Sequence, residues 1–152
     1  MRPLARGLLA GAAGTIALNA VTYGDMLIRG RPASTMPERV ADRLARRAGL
    51  DPDGDERAPN REQAAGALLG VLTGLGAGAV YGLARARADG PPPALAGPLL
   101  GAAVMAGSDV PATALGVTRP GTWSAGAWLS DVVPHMAYGV TTAAVYDATR
   151  RA

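Results

Sequence analysis

Residues 64 to 84 read AAGALLGVLTGLGAGAVYGLA, an unbroken run without a single charge. Its only side-chain hydroxyls are those of Thr73 and Tyr81, so a helix formed here has no polar face to turn to water and must be enclosed on every side. At about 1.5 Å per residue it is also long enough to cross the ~30 Å hydrocarbon core of a bilayer. A soluble four-helix bundle is the alternative, but a chain of 152 residues has too few neighbours to surround one helix completely.

Three more stretches have similar length and little charge: Gly7 to Ile28, Ala94 to Val117 and Trp123 to Tyr146. The expected fold is therefore all-α, an integral membrane four-helix bundle in a lipid bilayer. It forms a single domain over residues 1–152, with spans at about 7–28, 64–84, 94–117 and 123–146. The kind of apolar residue agrees. There is no Phe, aromatic residues are 4% of the chain, and Gly occurs 21 times, a composition that suits helices packing backbone to backbone. All the basic residues are Arg and none is Lys, a skew that follows genome composition, so the basic pI is no sign of a nucleic-acid partner. The N-terminus, MRPLARGLLAGAAGTIALNA, has the charge and apolar run of a signal peptide. An uncleaved first span is preferred because the apolar pattern continues through VTYGDMLI.

The polar region lies between the first two spans, at residues 29–61. STMPERVADRLARRAGL predicts a short amphipathic helix, with Thr35 as N-cap, Glu38 reaching back, Pro37 in the first turn and Gly49 at the exit. Its thin apolar stripe would be Val40, Leu44 and Ala48, surrounded by Arg39, Arg43, Arg46 and Arg47. Such a helix either lies on the lipid surface, arginines to the phosphates, or is a solvated connector. DPDGDE, residues 51 to 56, alternates acids as calcium loops do, but it lacks the downstream bidentate Glu and reads as a turn. Asn60 is expected to cap the second span, with Gln63 reaching back.

Gly66, Gly70, Gly74, Gly78 and Gly82 recur every fourth residue. They lie on one face of a helix and form a groove where another backbone can approach closely. Gly7, Gly11 and Thr15, and then Gly97 with Gly101, make shorter ridges. These ridges serve packing inside the monomer, a homo-oligomer seam or contact with another membrane protein. The second and fourth spans end alike, AVYGLAR and AVYDATR. That similarity predicts Tyr81 and Tyr146 at a membrane interface, with Arg85 and Arg150 beyond it. Arg2 and Arg6 on the same side favour cytoplasmic termini, whereas the eight arginines between residues 29 and 61 favour the opposite orientation.

Two related stretches, GSDVPATALGV at 107–117 and SDVVPHMAYGV at 130–140, carry the ionisable residues. The third and fourth spans form a hairpin about TRPGTW, and Asp109 and Asp131 are nearly equidistant from its centre, so they fall at one depth. Asp25 approaches that layer from the end of the first span, with Asn19 beneath it. Pro111 and Pro134 cannot donate to the carbonyls of Gly107 and Ser130. His135 shares a helix face with Asp131. Acids at such depth are costly unless paired. Two carboxyls at one level would share a proton, and His135 could relay it. The plainer alternative has Asp25 and Asp109 pairing with Arg29 or Arg119, while Asp131 and His135 bond each other.

GVTRPGTWSAGAWLSDVVPHMAYG resembles the C-terminal signature of the YagU-like family of small bacterial inner-membrane proteins, through Gly116, Thr118, Pro120, Trp128, Asp131 and His135. The resemblance implies a multi-pass protein of the bacterial cytoplasmic membrane and carries no reaction with it. With no cysteine and one histidine, no Cys-type or two-histidine metal site is possible, and no cofactor, nucleophilic triad or phosphate-binding glycine loop is expected. The leading expectation is thus a non-enzymatic structural or accessory membrane protein packed through the glycine ridge. The competing one is a proton-coupled or cation-conducting transporter using Asp109, Asp131 and His135.

Overall fold

The computed structural model describes residues 1–50, 56–87 and 90–151. Its elements are α1 (Pro3–Arg29), α2 (Met36–Arg47), α3 (Ala58–Arg87), α4 (Pro93–Ala114), a 3-10 turn at Pro120–Thr122 and α5 (Ala125–Arg151). There is no strand among the described residues. α1, α3 and α4 are long and apolar enough to cross a membrane. α5 has the length, with 27 residues. It does not meet the same standard of apolarity, because Asp131, His135, Asp147, Arg150 and Arg151 interrupt it. The acidic loop segment 51–55, expected to be a turn, lies outside the described residues.

The distribution of side chains is inverted relative to a protein folded in water. Ala10, Ala112 and Ala143 are fully buried, whereas Ile16 is 70% exposed and Leu27 86% exposed, and Leu68, Leu72, Val80, Leu99 and Val110 also face outward. Large apolar residues on the outside and small ones inside fit a hydrocarbon surrounding, where the close approach of backbones replaces a core of large side chains.

α1 is the central helix, packed against α3 on one side and α5 on the other; α4 packs on α5 and scarcely touches α3. The α1–α3 seam is made by glycine. A Cβ at Gly78 would lie 2.5 Å from the Cα of Gly11 and from the carbonyl oxygen of Gly7, and one at Gly82 would lie 2.6 Å from the carbonyl oxygen of Pro3. Gly74 faces the Thr15 side chain, and Gly66 faces the α2 backbone at Pro37 and Glu38. Four of the five ridge glycines are therefore spent inside the monomer. Gly70 has nothing within 4 Å of its Cβ position. The α4–α5 seam works likewise, with Gly97 and Gly101 against Gly139. Gly14 of α1 admits Tyr138 and Thr142 of α5.

Two tyrosines of α5 cross to α3. The Tyr138 hydroxyl donates to the carbonyl of Gly74 at 2.6 Å and that of Tyr146 to Gly82 at 3.0 Å. Tyr146 is 1% exposed, so it is not the interfacial anchor expected from its place near a span end. A glycine has no side chain to shield its carbonyl, and the ring turns inward to reach it. Its ring also meets Tyr81 edge-on at 5.4 Å. The repeated endings thus pack on one another.

The short helix α2 forms where expected and leaves as expected. Gly49 has φ +78°, and the amides of Gly49 and Leu50 donate to the carbonyls of Arg46 and Ala45, the Schellman pattern. Its start differs: Thr35 makes no side-chain cap bond, and the Ser34 hydroxyl accepts from the Met36 amide instead, at 3.3 Å. Of the apolar stripe, Leu44 and Ala48 are exposed and Val40 is half-buried, and Glu38, Ala41, Asp42 and Ala45 are half-buried on the side that packs on α3. Contact with Gly66 sets this orientation, since only small residues allow the approach. α3 begins at Ala58, so Asn60 is already within the first turn and is no cap; Pro59 suits that turn because its missing N–H is not needed there.

Candidate functional site: a carboxyl pair between α4 and α5

α4 and α5 are joined by a compact turn. Gly116 has φ +71°, the Trp123 indole N–H donates to the Thr118 hydroxyl at 2.9 Å, and Trp123 packs edge-on against Trp128 at 5.0 Å. Counting from the helix ends at Ala114 and Ala125, Asp109 and Asp131 each lie about 8–9 Å inside at ~1.5 Å per residue. The antiparallel pair therefore brings them level, within electrostatic reach of each other. Asp109 is 7% exposed. Asp109 Oδ1 and Asp131 Oδ2 are enclosed without a donor.

Two carboxylate anions only accept hydrogen bonds and repel each other, so two such groups at one level favour a hydrogen on one of them. His135 completes the group. Its Nδ1 lies 2.8 Å from the backbone oxygen of Asp131 and 3.5 Å from Asp131 Oδ1. A carbonyl oxygen can only accept, so Nδ1 carries a hydrogen. His135 is also within electrostatic reach of Asp109.

Asp25 does not join this group. It is held by Arg29 Nε and Arg31 Nε, each at 2.5 Å, and lies 3.3 Å from the Ser130 hydroxyl oxygen. Arg29 also bonds the Ser130 hydroxyl, so this cluster fastens the end of α1 to α5 next to the carboxyl pair. Asn19 faces outward. The serines beside the two acids turn away from the carbonyls freed by proline. Ser108 donates to the carbonyl of Met105 at 2.8 Å and Ser130 to that of Gly126 at 2.9 Å.

Asp109 can be reached from the hairpin end. A depression of about 350 Å³ is lined by Asp109, Val110, Thr113, Ala114 and Pro120. From the pair inward, one face of α5 is polar along most of its length: Asp131, His135, Tyr138, Thr142 and Tyr146 recur at intervals of three and four residues. Tyr138, Thr142 and Tyr146 are all buried, and the Thr142 hydroxyl has no partner. The line ends near Asp147, whose Oδ1 is 3.6 Å from Arg85 Nη2. The sequence points to the first two members of this line, marks Tyr146 as an interfacial residue instead, and leaves Tyr138 and Thr142 unmarked. The signal was present in the spacing, but hydroxyl residues in an apolar helix do not announce which way they face.

Among the described residues, no three side chains of His, Cys, Asp or Glu gather as metal ligands. No family model, curated protein or solved structure matches the chain.

Proposed function

We propose that the chain is a four-span protein of the bacterial inner membrane that binds a proton at Asp109 and Asp131 and passes it along α5. The observation that carries this reading is the meeting of two enclosed carboxyl groups from different helices, with a histidine beside them. An ionisable group placed at such depth without a cation is expensive and marks a site by default. A proton suits the pair better than a metal ion, which would need more ligands than the two acids and His135 supply in one cluster. Beyond the pair the same face of α5 carries the Thr142 hydroxyl, which has no partner among the described residues and can accept and donate, while Tyr138 and Tyr146 donate to carbonyls of α3. The fourth crossing is supported by packing: α5 lies between α1 and α4, both apolar enough to span, so it shares their depth.

The alternative, a structural or accessory protein that assembles through its glycine ridge, has less support, because Gly66, Gly74, Gly78 and Gly82 are buried against α1, α2 and α5. The test is proton flux into proteoliposomes after a pH jump. Asp131→Asn keeps a hydrogen-bond donor for Asp109 through its amide and removes the transferable proton. The fold is expected to survive and the flux to vanish. Equal flux from both proteins, or none from either, would return the acids to a structural role.

A further inference from the structure

The opposite end of the bundle, where α1 begins and α3 and α5 end, holds a cleft of about 440 Å³ lined by Pro3, Arg6, Arg85, Ala86, Arg87, Tyr146 and Arg150. We infer that this cleft binds a phosphate-bearing anion, held by guanidinium groups that three separate helices bring together. The inference is independent of the carboxyl pair and can fail without affecting it.

Four arginines line one cavity, and among the described residues no acid lines it with them. Asp147 lies behind it and offsets only Arg85, at 3.6 Å. The side chain of Arg85 is 9% exposed, and its Nη1 also donates to the carbonyl of Pro91 at 3.1 Å. That grip holds the Arg85 guanidinium in place rather than letting it extend into solvent. Its Nε, and the Nε of Arg6, are enclosed and have no acceptor. Buried N–H donors on cations are the groups least tolerated without a partner. A ligand with several acceptor oxygens and negative charge lying in the cleft would offset the charge of the guanidinium groups that line it, and the planar fork of guanidinium matches phosphate geometry. The N-terminus of α1 at Pro3 adds its dipole to the same end.

The depth indicates where such a ligand comes from. The cleft lies just beyond the apolar stretches of α1 and α3, at the level of lipid headgroups, where basic pockets between spanning helices take anionic lipid. Free phosphate presents the same chemistry. Arg87 and Arg150 are exposed, as a positive flank would be, whereas Arg6 and Arg85 are half-buried and line the same cavity.

The experiment uses the full chain in a neutral detergent. Binding is measured by native mass spectrometry with phosphatidylglycerol or phosphatidylcholine added, and by calorimetry with inorganic phosphate. Arg6→Gln and Arg150→Gln are compared singly and together, leaving the Arg85 pair intact. Arg39→Gln with Arg43→Gln on α2 removes the same charge at the other end. Phosphatidylglycerol is expected to be retained over phosphatidylcholine. Each single change should weaken it by about fivefold, and the α2 variant should not. Binding of inorganic phosphate with the same dependence on Arg6 and Arg150 would support the site with a soluble anion as its ligand. Retention of neither anion, or equal loss in the α2 variant, would overturn the proposal. Thermal unfolding of each variant identifies any that fails to fold, and the remaining single change then decides.

Discussion

Alanine at Gly78 is the most informative single perturbation of the packing. Its new methyl would lie 2.5 Å from Gly11 Cα, 2.5 Å from the Gly7 carbonyl oxygen and 2.7 Å from Gly11 N. Carbon atoms rest at about 3.5–4.0 Å, so the helices must separate by roughly 1 Å. All three neighbours are backbone, and no rotamer change can relieve the clash. Overpacking of this kind costs about 1–3 kcal/mol, and the rigidity of the neighbours argues for the upper part of that range. Replacing Gly by Ala in a helix returns up to about 1 kcal/mol, leaving a net loss of about 2 kcal/mol. Gly70 supplies the control. With nothing within 4 Å, Gly70→Ala keeps the propensity gain alone. The two variants should therefore differ by about 3 kcal/mol, more than 100-fold in the folding equilibrium. Unfolding by dodecyl sulfate in mixed micelles, followed through the fluorescence of the packed Trp123 and Trp128, measures this. A Gly78→Ala protein as stable as Gly70→Ala would refute the seam between α1 and α3.

Tyr138→Phe removes a buried hydroxyl whose only listener is the Gly74 carbonyl at 2.6 Å, and should cost about 1–2 kcal/mol in the same assay. Gly49→Ala meets no steric neighbour but must adopt φ +78°; it should destabilise the exit of α2 by about 1 kcal/mol, visible as faster amide exchange at Leu50 with the spans unchanged. Asp131→Leu leaves Asp109 enclosed opposite an apolar group and should destabilise far more than Asp131→Asn, by several kcal/mol in unfolding titrations.

Much of this arrangement is legible in the sequence because period and length are properties of one helix. The uncharged run at 64–84 demands enclosure wherever it sits, and the glycines at every fourth residue must share a face. The level placement of Asp109 and Asp131 follows from counting away from a hairpin turn. What the sequence hides is which neighbour a face meets. Gly14 and Gly139 belong to no regular ridge, yet each admits a partner helix. Tyr146 reads as an interfacial tyrosine until Gly82 is found beside it with an open carbonyl. α2 reads as an amphipathic helix on lipid or in water, and nothing in its sequence shows that the small residues Ala41 and Ala45 lie on the side that packs on α3. The arginine cleft needs three helix ends to converge, so Arg6, Arg85 and Arg150 look like ordinary flanking charges until they do.

The claim that Asp109 and Asp131 hold a proton between them is open to direct observation. Infrared spectra of the protein in lipid at neutral pH should contain the carbonyl stretch of a protonated carboxylic acid. That band should shift in heavy water and disappear in Asp131→Asn, with no other acid changed. A spectrum holding carboxylate bands alone, or an acid band that persists in Asp131→Asn and in Asp109→Asn, would contradict the account.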